Sequence, residues 1–189
     1  MTPETPGPVL LLHGLGGSDP GHWQRWLAGR LQDRGVSVVF PDLPDPDDPD
    51  PDAWLDALAE ALGEQQGWTV LAHSLGSLLW LRACARADAP LGAARALLVA
   101  PPWRADMPEV DRFLRHGAGA ADVVAAAPET LIVASDNDPY CPDGARERFA
   151  GRLGLELITI PGAAHLNVDA GYGPWPAVEA WTLGEEPRW

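Results

Sequence analysis

The sequence predicts an α/β protein: a three-layer α/β/α sandwich around a mostly parallel sheet of about six strands, in a single domain spanning residues 1–189. Three observations carry this. Short apolar runs alternate with longer helical patterns from end to end. The runs are continuous rather than alternating, which is how strands covered on both faces read. No internal repeat or linker divides the chain, and 189 residues suffice to bury roughly 70% of the unfolded surface in one core.

The predicted strands cover 9–12, 36–40, 68–72, 96–100, 130–134 and 155–160, all rich in Val, Leu, Ile and Ala. Candidate helices fall at about 21–34, 53–66, 75–87, 142–153 and 174–183. Asp50-Pro51 supplies an N-cap and a first-turn proline for the second of these. Strand–helix–strand units of this length join by right-handed crossovers, so helices cover both faces of a parallel sheet. Two segments break the rhythm. Residues 44–52 form an acidic, proline-rich loop that lacks the turn glycine and distal glutamate of a calcium loop, so it reads as a solvated connection. Residues 101–128 have room for one or two helices but are short for a separate lid domain.

Composition excludes several kinds of chemistry. The net charge is −14, and all 13 basic residues are arginines. Without lysine there is neither Schiff-base chemistry nor a P-loop cation. The negative field argues against nucleic acid and anionic membranes, whose binding rests on neutralising phosphates. No apolar run approaches the ~18 residues of a membrane span. The proline-rich stretch from Met1 to Pro8 has no basic n-region, so the expectation is a cytoplasmic protein without a signal peptide. Cys84 and Cys141 lack metal or redox spacing and read as free thiols. Five histidines without HxxxH or HExxH spacing give no zinc signature, and no cofactor or metal is expected.

The chemistry is expected at Ala72-His73-Ser74-Leu75-Gly76, where a strand-like run gives way to an apolar helix. A sharp strand-to-helix turn there lifts a serine hydroxyl above the carboxyl edge of the sheet, with small residues at 72 and 76 allowing close approach. Ala72 stands where glycine is usual. After the first strand, His13-Gly14-Leu15-Gly16-Gly17-Ser18 forms a turn whose Leu15 N–H, with that of Leu75, suits an oxyanion hole. An acid and a base then follow in the order Ser…Asp…His. Asp138, held before Pro139, is the favoured acid, with Asp136 read as a turn former and Asp106 as a more distant candidate. His165, past the last strand, is the base. His13, His22 and His73 read as structural or oxyanion-loop residues. Core packing is the default for Trp23, Trp26 and Trp54, whereas His13, Gly14 and Trp103 are candidate substrate-pocket residues.

Over nearly its full length the chain resembles the small retinoblastoma-binding-protein-type serine hydrolases, a compact branch of the α/β-hydrolase superfamily. The matching pieces are His13-Gly14 through Gly17-Ser18, His22-Trp23 and Trp26, the loop before Trp54, Ala72 to Gly76, Asn137-Asp138-Pro139-Tyr140, and Gly162 to His165. The resemblance implies a minimal α/β-hydrolase fold without a lid, and a Ser74–Asp138–His165 triad. It also implies cleavage of small carboxylic esters, or amides, through an acyl-Ser74 intermediate. Some relatives are known chiefly as binding proteins. The alternative is therefore a weakly catalytic or non-catalytic module that recognises a protein partner through its acidic face or the 101–128 segment.

Overall fold

The computed structural model describes residues 7–87 and 90–189, so the reading of Met1 to Pro8 falls almost wholly outside the described residues. Six strands form one sheet: β1 (Val9–Leu12), β2 (Val38–Val39), β3 (Trp68–His73), β4 (Ala93–Val99), β5 (Glu129–Ser135) and β6 (Glu156–Ile160). Their order is β2-β1-β3-β4-β5-β6, and every adjacent pair is parallel. The chain winds outward from β1 to β2, then crosses back to β3 and winds the other way. The reversal leaves a crevice at the carboxyl ends of β1 and β3, the place where open sheets of this kind bind ligands.

Strand side chains alternate between two cores. Leu10, Leu12, Val70, Ala72, Leu98 and Ile132 face one helical layer. Val9, Leu11, Leu71, Leu97, Val99 and Val133 face the other. With both faces covered, there is no polar face to create an alternating pattern, hence the continuous apolar runs. The first layer is built from α2 (Pro51–Leu62), α3 (Leu75–Arg86), α4 (Pro108–Leu114), α5 (Ala120–Ala126) and the short α6 (Gly151–Leu153). The second is built from α1 (Trp23–Asp33) and α7 (Pro176–Thr182). Trp23, Trp54 and Trp80 are fully enclosed in these layers. Each buried Leu or Val adds about 1.5–3 kcal/mol of transfer free energy.

Differences from the expected elements have local causes. The second strand shrinks to Val38–Val39, the two residues whose backbones pair with β1. The helix expected over 53–66 starts at Pro51, with the Asp50 carboxylate accepting from the Asp52 and Ala53 amides. It ends at Leu62 because Gly63 turns to φ 52°. In 142–153 the helix is a π turn (Arg146–Ala150) running into α6. Segment 101–128 holds two short helices, α4 and α5. No described helix is long and apolar enough to cross a membrane.

Candidate active site

Ser74 sits between β3 and α3 with φ 53° and ψ −124°. A non-glycine residue there is strained by about 1–3 kcal/mol, and persists only where its surroundings hold it. The restraints are visible. The Ser74 amide donates to the Val99 carbonyl (2.9 Å), the Ser77 amide to the Ser74 carbonyl (2.9 Å), and the Ser77 hydroxyl to the Ala72 carbonyl (3.1 Å). Position 76 must be glycine, since a Cβ would lie 2.5 Å from the Leu12 carbonyl oxygen and 2.6 Å from that of His13. Gly14 is equally confined, because its Cβ would lie 2.7 Å from the Ser74 Cβ. Ala72, by contrast, fits without exposure in the core.

Three side chains meet above this turn. The Ser74 hydroxyl and His165 Nε2 are 2.8 Å apart. On the other side of the ring, Nδ1–H donates to the Asp138 carboxylate, at 2.8 Å to Oδ2 and 3.0 Å to Oδ1. Asp138 is only 4% exposed, and the Tyr140 amide donates to its Oδ1 (2.9 Å). A carboxylate facing Nδ1 favours the tautomer that leaves Nε2 free to accept from serine. Asp136 points away from the ring, and its carboxylate accepts from the Gly162 amide (2.8 Å). Ser135 Oγ accepts from the Ala163 amide (2.9 Å), and Asn137 Oδ1 accepts from the Ala164 amide (2.8 Å) and from the Ser135 hydroxyl (2.6 Å). Three consecutive side chains thus latch three consecutive amides, just before His165. Asp106 lies outside the site, paired with Arg104 at the surface (2.5 Å).

A cavity of about 270 Å³ opens beside Ser74 and His165. Gly14, Leu15 and Leu75 line it, together with Met107 and Val110 from the α4 region. Among the described residues, no loop or cap hydrogen bond occupies the Leu15 or Leu75 amide, while neighbouring Gly16 donates to Pro46 and Gly17 to Gly14. The acidic loop therefore supports the glycine-rich turn from behind. Two expected pocket residues lie elsewhere. His13 is buried against the edge of Trp54 (ring centroids 5.4 Å apart), its Nδ1–H donating to the Gly14 carbonyl (2.8 Å). Trp103 is drawn back by its amide, which donates to the Tyr140 carbonyl (2.7 Å). Its ring packs on Phe149 in a separate cavity, with Arg148 and Arg152 stacked over it.

The family model described as serine hydrolase matches residues 9–182. The chain belongs to the serine hydrolase family. Among curated relatives, YdeN of Bacillus subtilis (strain 168), which carries the name of a hydrolase, is 26% identical over 176 residues, covering 90% of this chain and 91% of YdeN. The crystal structure of the ydeN gene product superposes with a TM-score of 0.83 at 23% identity, covering 94% of this chain and 97% of that one. A YdeN-like hydrolase from Pectobacterium atrosepticum gives a TM-score of 0.72 at 25% identity, covering 94% and 89%. A monoacylglycerol lipase from Paleococcus ferrophilus, at 14% identity, gives 0.66 and covers 95% and 96%, which shows the shared fold. These relatives are hydrolases by name, and the retinoblastoma-binding side of the resemblance gains no support from them.

In this serine hydrolase His165 sits in a cluster of imidazole rings. His73 lies 5.1 Å from His165 and His22 lies 4.8 Å from His73, centroid to centroid. His73 is buried, and its Nε2–H donates to the His165 carbonyl (3.0 Å). Burial pushes its pKa well below the usual histidine value, with the neighbouring His165 adding to the effect. Burial also brings His22 down to about 4 and lowers His13. Both cysteines are buried free thiols, with burial raising Cys84 to about 12 and Cys141 to about 11, so neither supplies a thiolate at neutral pH. The sequence reading missed Tyr140, whose ring lies tilted against that of His165 (centroids 4.4 Å apart, 53° between planes), although Asp138-Pro139-Tyr140 lay within the matched motif. It also missed Met107 and Val110, which carry no local signal.

Proposed function

We propose that this serine hydrolase cleaves small carboxylic esters, and amides of similar size, through an acyl-Ser74 intermediate. The observation that carries the reading is the continuous chain from the Ser74 hydroxyl through His165 to Asp138, with both outer contacts at 2.8 Å. His165 Nε2 takes the hydroxyl proton as Ser74 attacks the carbonyl carbon, and Asp138 stabilises the imidazolium. The Leu15 and Leu75 amides receive the tetrahedral oxygen, each such donor being worth about 10²–10³ in rate. His165 then protonates the leaving oxygen or nitrogen. Water, activated by the same ring, releases the acid.

The test is intact-mass labelling with a fluorophosphonate, alongside hydrolysis of short-chain esters. One adduct per chain is expected on wild type and none on Ser74→Ala, with a fall in kcat of roughly 10⁴-fold or more. A folded wild-type protein that takes no label would overturn the reading. The alternative, a binding module, needs neither a free serine hydroxyl nor a base aligned on it, and no observation favours it.

A further inference from the structure

The lining of the cavity is chemically mixed. Leu15, Met107 and Val110 give it apolar surface. His22, Asp19 and Asp169 give it polar surface. His22 is the N-cap of α1: its Nδ1 accepts from the Gln24 amide (3.2 Å). An imidazole nitrogen that accepts from an N–H carries no proton, so in the neutral ring the hydrogen sits on Nε2. That nitrogen has no protein partner among the described residues and is absent from the fully enclosed unpaired polar atoms, and His22 is one of the residues that line the cavity. The ring itself is held by Trp23 and His73, at centroid distances of 5.4 and 4.8 Å. Its burial keeps it uncharged at neutral pH. The result is a fixed, neutral N–H on a wall of the reaction cavity.

We infer that His22 is a specificity-determining donor, selecting esters that carry a second oxygen acceptor on one arm and an apolar group on the other. The inference rests on the hydrolase reading. The two oxyanion amides already account for the scissile carbonyl, so the His22 N–H needs a different acceptor once substrate displaces water. An all-alkyl ester leaves it unpaired, and sites built around a donor discriminate strongly against analogues that lack the acceptor. Asp19 and Asp169 strengthen the choice of an uncharged ether, hydroxyl or carbonyl oxygen, because they repel a carboxylate.

The experiment compares three near-isosteric esters by pH-stat: butyl butanoate, methoxyethyl butanoate with the ether oxygen in the alcohol arm, and butyl methoxyacetate with it in the acyl arm. Each kcat/KM is divided by the rate constant for alkaline hydrolysis, which removes intrinsic reactivity. Wild type should favour one ether ester over butyl butanoate by about tenfold, the size of one hydrogen bond in a desolvated site. In His22→Asn, whose shorter side chain still caps α1, that preference should vanish while the melting temperature stays close to wild type. His22→Ser, a second capping residue, guards against failure of the first variant to fold. Equal preferences in wild type and both variants, or no turnover of any of the three by an enzyme that fluorophosphonate labels, overturns the inference alone. Absence of label on folded wild type instead removes the hydrolase reading beneath it.

Discussion

Asp138 and Asp136 stand two residues apart in one loop, yet one binds a ring and the other a backbone amide. Substituting asparagine at each separates the roles. In Asp138→Asn the amide can present a donor to Nδ1 and favour the wrong tautomer, so kcat should fall by roughly 10⁴-fold. In Asp136→Asn the side-chain oxygen still accepts from Gly162, and activity should stay within about threefold, since the neutral hydrogen bond is the weaker one. Steady-state kinetics on both variants decides it, and a reversed order would exchange the two assignments. The sequence alone favoured Asp138 through the following proline but could not show which carboxylate turns inward. Chain order makes Ser74 and His165 readable at once, because a motif and a strand end announce each. Trp103 shows the limit: it follows a strand end just as they do, but its ring packs on Phe149 in a separate cavity.

The junction between β3 and α3 stores strain at Ser74, in a backbone region suited to glycine. Ser74→Gly should therefore be more stable than Ser74→Ala by about 1–3 kcal/mol, although glycine normally lowers helix-end stability relative to alanine. Urea denaturation of the two variants is the measurement. An Ala variant as stable as the Gly variant would mean that the turn carries no strain. The six strands and most helices were legible, because buried parallel strands read as unbroken apolar runs and the helices between them are amphipathic. Element ends were less so. Gly63 halted α2 four residues before the expected end, and the π turn at 146–150 has no sequence signature. The two helices of 101–128 were blurred by an Ala/Gly-rich stretch that carries little periodicity.

Across the whole molecule, three histidines are kept neutral by burial: His13, His22 and His73. Their folded-state pKa values lie below the usual 6.5, that of His22 at about 4, so as pH falls below about 6.5 the unfolded chain binds protons that the folded one does not. Stability is then fully present above pH 6.5 and is lost on acidification, at roughly 1.4 kcal/mol per pH unit for each histidine fully protonated in the unfolded chain alone. Denaturant melts between pH 7 and 5 should show this slope, and His73→Gln should reduce it by about one histidine's share. An unchanged slope would mean that His73 protonates in the folded protein. The site depends on the whole sheet for its assembly, since Ser74 follows β3, Asp138 follows β5 and His165 follows β6.

The latch formed by Ser135, Asp136 and Asn137 on the amides of 162–164 has a practical consequence for redesign. It ties the loop of Asp138 and the loop of His165 into one unit, so a library that shuffles either loop by itself is expected to separate these two side chains before it reshapes the cavity. Asp19 and Val168 line the cavity without contributing to the latch, which makes them the places where diversity can be introduced while the Ser74–His165–Asp138 contacts are inherited unchanged.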